Sequence, residues 1–197
     1  MKSIFKKSFT LLLCGFLSLS TNVVVTHASS CESIGINGND YQIHIEESDN
    51  IRRVVVSDEF GQSSTAIFNM KLEELIIDGS EISSNEYVLD GSLTTWYTRV
   101  LSRTRYTLGP NVTNTATALL AGLIAISGIG AFASAVIDTV AGATLWGSTI
   151  YVTISECRSG LKISSGTYAG KYKYWTNVLV ECNDFVILDQ DHSIYYK

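Results

Sequence analysis

From Tyr41 the chain alternates with period two: Tyr41, Ile43 and Ile45 fall on one face and Gln42, His44 and Glu46 on the other, the signature of a half-buried strand. Turn residues at Ser48-Asp49-Asn50 and from Asp58 to Gln62 separate this run from Arg53 to Val56 and from Ser64 to Phe68. A fourth run, Leu72 to Ile77, is closed by Asp78-Gly79. Connections this short predict an antiparallel β-meander with one covered face. Tyr87 to Leu89 and Leu93 to Tyr97, on either side of Asp90-Gly91, suggest one more hairpin.

The period then changes. The fifty residues 106–155 contain a single charged side chain, Asp138. After Gly109-Pro110, residues Asn111 to Asn114 offer helix caps, and 117–137 form a 21-residue apolar segment. At 1.5 Å per residue it spans about 31 Å, close to the hydrocarbon thickness of a bilayer. Only nine of the 21 are Leu, Ile, Val or Phe. On an insertion scale these contribute about −3 to −5 kcal/mol, which the small polar residues and Asp138 offset, so insertion is marginal. Gly128 and Gly130 favour two shorter helices, about 115–127 and 130–146, folded back as a hairpin. The pairs Ala118/Gly122, Gly130/Ser134 and Ala131/Ala135 allow close helix contact in water or in lipid. Three readings stay open: a hairpin buried as core, a hairpin that inserts into a membrane conditionally, and a permanent transmembrane helix. In the second, Leu119, Leu120, Leu123, Ile124, Ile126, Ile129 and Phe132 contact the membrane.

Period two returns at Ser148, with Thr149, Tyr151, Thr153 and Ser155 alternating against Ile150, Val152 and Ile154. An aromatic run, Tyr168, Tyr172, Tyr174 and Trp175, is interleaved with Lys171 and Lys173, a mixture suited to a lipid headgroup layer, a carbohydrate face or ordinary cross-strand packing. Tyr172, Tyr174 and Trp175 are the membrane-contact candidates here. The predicted fold is α+β: antiparallel β-meanders at 29–105 and 148–197 flank a central apolar α-helical hairpin at 106–147.

Residues 1–28 read as a secretory signal peptide. Lys2, Lys6 and Lys7 precede the apolar run from Phe9 to Leu19, and Thr26-His27-Ala28 suits cleavage before Ser29. A permanent anchor is disfavoured by Ser18, Ser20, Thr21 and Asn22, and a lipoprotein anchor at Cys14 by the bulky Leu13 before it. Without the leader there are 11 basic and 19 acidic side chains, a charge of −8; residues 29–90 carry −10 and 91–197 carry +2. The split suggests either two functional surfaces or one acidic, solvated sheet face. A charged fraction of 17% with a net acidic balance argues against a nucleic-acid partner.

In an exported chain Cys157 and Cys182 flank a predicted hairpin and are expected to form a disulfide, closing a loop of about 25 residues worth about 3 kcal/mol. That leaves Cys31 as a free thiol, as a link to a second chain in a covalent dimer, or as a competitor for one of the other two. Catalytic equipment is sparse. His44 and His192 have no partners at metal-ligand spacing, and the sequence carries no phosphate-cradling loop and no nucleophile elbow. Neighbouring carboxylates such as Glu46-Glu47 and Glu73-Glu74 point to opposite strand faces. An enzyme, a cofactor and a metal site are therefore not expected.

The lysine-rich leader, the meander from Asp49 to Gly79 and the C-terminal region rich in Tyr and Lys resemble exported proteins of Gram-positive bacteria, in particular the large unmodified secreted bacteriocins of the geobacillin type. The resemblance covers architecture across most of the chain and carries over no functional residue. It implies an antimicrobial that perturbs a target-cell membrane, with an immunity protein as a further partner. The competing expectations are a non-toxic secreted or cell-surface binding protein, and a membrane-anchored accessory protein.

Overall fold

The structure is a computed structural model that describes residues 28–86 and 98–197. The leader, apart from Ala28, and the hairpin expected within 87–97 lie outside the described residues. The described residues form two antiparallel sheets and three helices.

Sheet A is a six-stranded meander in sequence order: β1 (Ala28–Ile36), β2 (Asn39–Ser48), β3 (Ile51–Asp58), β4 (Ser63–Asn69), β5 (Glu74–Ile77) and β6 (Ser80–Ile82). Its tight turns have the local chemistry they need. Asn37 (φ 52°) and Gly38 (φ 81°) supply the two left-handed residues of a two-residue hairpin whose twist matches the strands. The wider β3–β4 turn is held by Asp58 Oδ1, which accepts from the backbone N–H groups of Phe60 and Gln62 at 3.0 and 2.8 Å. Alternation buries Tyr41, Ile43, Val54, Val56, Ala66, Phe68, Leu75 and Ile77 on one face.

Sheet B has the order β11-β10-β9-β8-β7, from β7 (Ser84–Glu86), β8 (Thr98–Leu108), β9 (Ile150–Ser159), β10 (Lys173–Cys182) and β11 (Phe185–Tyr196). The chain thus changes sheets at Ser83, between β6 and β7, and not near residue 105 where the composition shifts. Both β7 and β8 belong with the C-terminal strands.

Between β8 and β9 lie α1 (Pro110–Thr113), α2 (Ala116–Ser127) and α3 (Gly130–Gly142). Helix α2 begins at Thr115, whose hydroxyl accepts from Ala118 N–H, and ends at Gly128, whose left-handed φ of 73° returns its N–H to Ile124 O at 2.7 Å. Being apolar all round, α2 can only be a core element or a membrane span, and here it is core. Residues 117 to 126 are all buried, α2 lies on β3, β4 and β5, and the same core takes in Tyr106, Leu108, Ile150, Val152, Val178 and Val180 from sheet B. Gly122 permits the closest approach, since a Cβ there would stand 2.6 Å from Ile77 Cδ1.

Two polar contacts fasten α2 to sheet A. Thr117 Oγ1 meets Ser64 Oγ at 3.0 Å in the core near the first turn. Near the last turn Arg52, ion-paired with Glu47, donates to the Ala125 carbonyl at 3.0 Å. The guanidinium satisfies a carbonyl left free by the helix end and sits at the negative end of its dipole. Helix α3 is amphipathic: Phe132, Ala133, Val136, Ile137 and Val140 are buried, and Asp138 and Thr139 face solvent. It packs on α2 and touches the edge strands β1 and β11. No helix among the described residues is long and apolar enough to cross a membrane.

Candidate functional site

Among the membrane-contact candidates of the helical region, Leu119, Leu120, Leu123 and Ile124 have no exposed surface, Ile126 and Phe132 are buried, and Ile129 is partly buried against the core. In this fold they hold the two sheets together. A bilayer could reach them only after α2 and α3 left the core.

The C-terminal candidates sit elsewhere, at one end of sheet B. The chain from 157 to 180 carries Arg158, Lys162, Lys171 and Lys173 and no acidic residue. It folds back on the C-terminus: Tyr172 and Lys197 exchange backbone hydrogen bonds of 2.9 and 3.1 Å. This closure stacks Tyr168 on Tyr196 with ring centroids 3.9 Å apart, and register stacks Tyr174 on Tyr195 at 5.1 Å. The cations are interleaved with these rings. Arg158 Cζ lies 4.4 Å and Lys162 Nζ 5.7 Å from the ring of Tyr172, and Lys173 Nζ lies 5.1 Å from that of Trp175. Each separation is within cation–π reach. Tyr172 and Tyr174 are half-buried, Trp175 is buried, and Tyr168, Leu161 and Tyr195 are exposed. The result is an aromatic, cationic end of sheet B, with Tyr174 and Trp175 on opposite faces of β10 and the apolar surfaces of Leu161, Tyr168 and Tyr195 exposed.

The cysteines do not form the expected bond. Cys157 stands opposite Trp175 and Cys182 opposite Ile150, so the two lie seven positions apart along the β9–β10 ladder. At about 3.3 Å per residue that is roughly 23 Å, far beyond the 4.4–6.8 Å between Cα atoms that a disulfide requires. Flanking a hairpin was insufficient, because strand register decides which residues face each other. Both are buried free thiols, and burial pushes Cys157 up to about 11. Cys31 is an exposed thiol on edge strand β1.

A third place escaped the sequence reading. At one end of sheet B the inward-facing positions turn polar: Ser102 on β8, Glu156 on β9 and Thr176 on β10 align by register, and Thr104 lies two positions along β8, opposite Ile154. Opposite them Met70 and Glu73 from the β4–β5 turn, with Ile126 and Ser127 at the end of α2, complete a cleft of about 270 Å³. Thr104 donates to Glu73 across the two sheets, and Thr176 donates to Glu156 at 2.9 Å. His192 enters from β11, and its Nε2 is buried with no hydrogen-bond partner among the described residues. Burial holds His192 below its ordinary range against the opposing pull of Glu156 and Asp191, which keeps the imidazole neutral near pH 7. The available signal was a departure from alternation: Glu156, in phase with Ile150, Val152 and Ile154, is a carboxylate on a core-facing phase.

No protein family, no curated protein and no solved structure matches this chain.

Proposed function

We propose that this is an exported, bacteriocin-like protein that docks on an anionic cell envelope through the aromatic and cationic end of sheet B. The α2–α3 hairpin is its membrane-active element, kept in the core until docking. The observation that carries the reading is the platform of Tyr172, Tyr174 and Trp175 with Arg158, Lys162 and Lys173 packed among the rings. Amphipathic rings settle at headgroup depth, and each lysine near an anionic surface adds about 1 kcal/mol. The opposite charge of residues 29–90 orients the molecule with sheet A away from that surface.

In this account the hairpin reaches the bilayer by exchanging one apolar environment for another. The contacts of α2 with β3 to β5 are lost, and Leu119, Leu120, Leu123 and Ile124 are buried in lipid instead. A partner expected for such a protein is an immunity protein in the producing cell, and Cys31 is the exposed thiol through which a second copy would link. The complete burial of α2 favours a second reading, in which the same platform serves a non-toxic secreted or cell-surface binding protein and the helices never leave the core.

The test is leakage of dye from anionic vesicles by the protein lacking residues 1–28, with tryptophan emission followed in parallel. Leakage with a blue shift is expected, and both are expected to fall in Lys171→Gln/Lys173→Gln. Binding without leakage would decide for the second reading. Equal behaviour on anionic and neutral vesicles would contradict the docking surface.

A further inference from the structure

Each sheet has two edge strands, and an edge presents unpaired N–H and C=O groups on which another chain can add a strand. Three of the four edges among the described residues are blunted. Strands β6 and β7 have three residues each. Strand β11 is longer, but its pairing with β10 shifts register twice, it carries Asp189 and Asp191, and Ser193 takes a left-handed φ of 53°. Strand β1 has none of these devices: its nine residues pair with β2 in unbroken register, none is Lys, Arg or Pro, and none has a positive φ. We infer that β1 is an interaction edge to which a second copy of this chain adds antiparallel, joining two A sheets across a two-fold axis at Cys31. The inference gives a geometry to the link with a second copy named above, and it is independent of the docking surface on sheet B.

The two-residue turn at Asn37-Gly38 fixes which backbone groups of β1 are free. Its flanking residues, Ile36 and Asn39, form a hydrogen-bonded pair, and such pairs alternate along an antiparallel ladder. Ile36, Ile34, Glu32 and Ser30 therefore bond to β2, while Gly35, Ser33, Cys31 and Ser29 turn N–H and C=O outward. The side chains of Ser33, Cys31 and Ser29 stand on the face away from the helices and are exposed. Helix α3 approaches β1 on the other face, where a Cβ on Gly130 would stand 3.0 Å from Ile34 Cδ1.

The occupant is a second copy because the edge is complementary to itself. About an axis at Cys31 the outward-bonding residues face one another: Cys31 meets its own counterpart and Ser29 meets Ser33, each pair exchanging both backbone bonds. The single charged residue of the strand, Glu32, then lies opposite the hydroxyl of Ser30. Moving the axis to Glu32 would set two carboxylates directly opposite each other, and moving it to Ser33 would set Glu32 against Ile34. A strand edge buries less than a standard interface, so association is expected in the micromolar range.

The experiment is sedimentation velocity of the protein lacking residues 1–28, in reducing buffer at about 1 to 300 μM. A dimer that grows with concentration is expected. Ser33→Pro removes an outward N–H that β2 does not use, at a place where an edge strand accepts proline, and is expected to stay monomeric. Cys31→Lys sets like charges opposite each other at the axis and is expected to do the same, which keeps the test open if proline unfolds the strand. Far-ultraviolet dichroism checks the fold of both.

Register is read by cross-linking with oxidised glutathione, which takes two electrons and two protons from each pair of thiols and leaves as two reduced molecules. Opposed residues of a hydrogen-bonded pair lie about 5.5 Å apart at Cα, within disulfide reach. A mixture of Ser29→Cys/Cys31→Ser and Ser33→Cys/Cys31→Ser is expected to cross-link at least about tenfold faster than either variant alone. A parent that stays monomeric at the highest concentration, a folded Ser33→Pro that dimerises as the parent does, or equal cross-linking of mixture and single variants would each overturn the inference. No membrane enters these assays, so their failure leaves the docking surface standing, and a failed leakage assay leaves the edge standing.

Discussion

Sheets A and B are built from the same kind of antiparallel hairpin, yet they use their inner faces differently. Sheet A alternates along its length, and its helix-facing side is apolar apart from Ser64, which bonds to α2, the Glu47–Arg52 pair at the end of α2, and Ser30 and Glu32 on edge strand β1. Sheet B alternates in the same way at one end, where Tyr106, Leu108, Ile150, Val152, Val178 and Val180 close over the core. At its other end the inward positions become Ser102, Thr104, Glu156 and Thr176. The first sheet serves as a wall for α2, and the second is both a wall and the floor of a polar cleft. Polar residues on a core-facing phase cost stability unless each finds a partner. Those of sheet B are paired with one another or open to the cleft, as expected where function is placed at the expense of packing.

The largest way to break the contrast is through α2. Leu120→Ala empties a fully buried site and should cost about 3 kcal/mol in denaturant unfolding. An effect below about 1 kcal/mol would mean that α2 is not the common core of the two sheets. Next comes the fastening at its C-terminal end: Arg52→Ala removes the bond to Ala125 O and leaves Glu47 unpaired, for a loss of about 2 kcal/mol by the same method.

The platform is sharpened by Lys171→Gln/Lys173→Gln. This double change should weaken sedimentation with anionic vesicles by about thirtyfold at low salt and leave the melting temperature in place. A smaller effect is the pH dependence of His192. Its folded-state value lies below that of the unfolded chain, about 6.5. The stability it contributes is therefore complete above that pH and is lost as pH falls through the depressed value. His192→Gln should flatten the stability profile below about pH 6.5 relative to the parent. The smallest expected change is none at all: with Cys157 and Cys182 at opposite ends of their ladder, a reducing agent should not move the melting temperature. A shift of several degrees would restore the disulfide.

Much of the meander was legible, because alternation and two-residue turns are local signals: the runs at Tyr41, Arg53 and Ser64 became β2, β3 and β4. The break between α2 and α3 was also local, since Gly128 takes a left-handed cap and the helices part there. Edge and transition strands were missed. Strand β1 is rich in Ser and mostly exposed, and β8 mixes arginines and threonines because one face lies on the core while the other carries Arg103 and Arg105 outward.

Whether 117–137 was core or membrane span could not be read from its composition, which suits both; the covering sheets decide it in the folded molecule. The aromatic end was legible as composition, but its stacking required the closure of Tyr172 on Lys197. The cleft was hidden because Glu73 and Glu156 are 83 positions apart and meet only through the pairing of the two sheets.

On the proposed account a docked molecule releases helix α2, which the folded molecule keeps buried. It is tested most directly by a lock on α2: Ser64→Cys/Thr117→Cys, with Cys31→Ser, replaces the 3.0 Å hydroxyl contact in the core by a disulfide. On anionic vesicles the oxidised protein is expected to bind as the parent does and cause no leakage, and leakage is expected to return when a reducing agent opens the lock. Equal leakage from the oxidised and reduced forms would contradict release of α2.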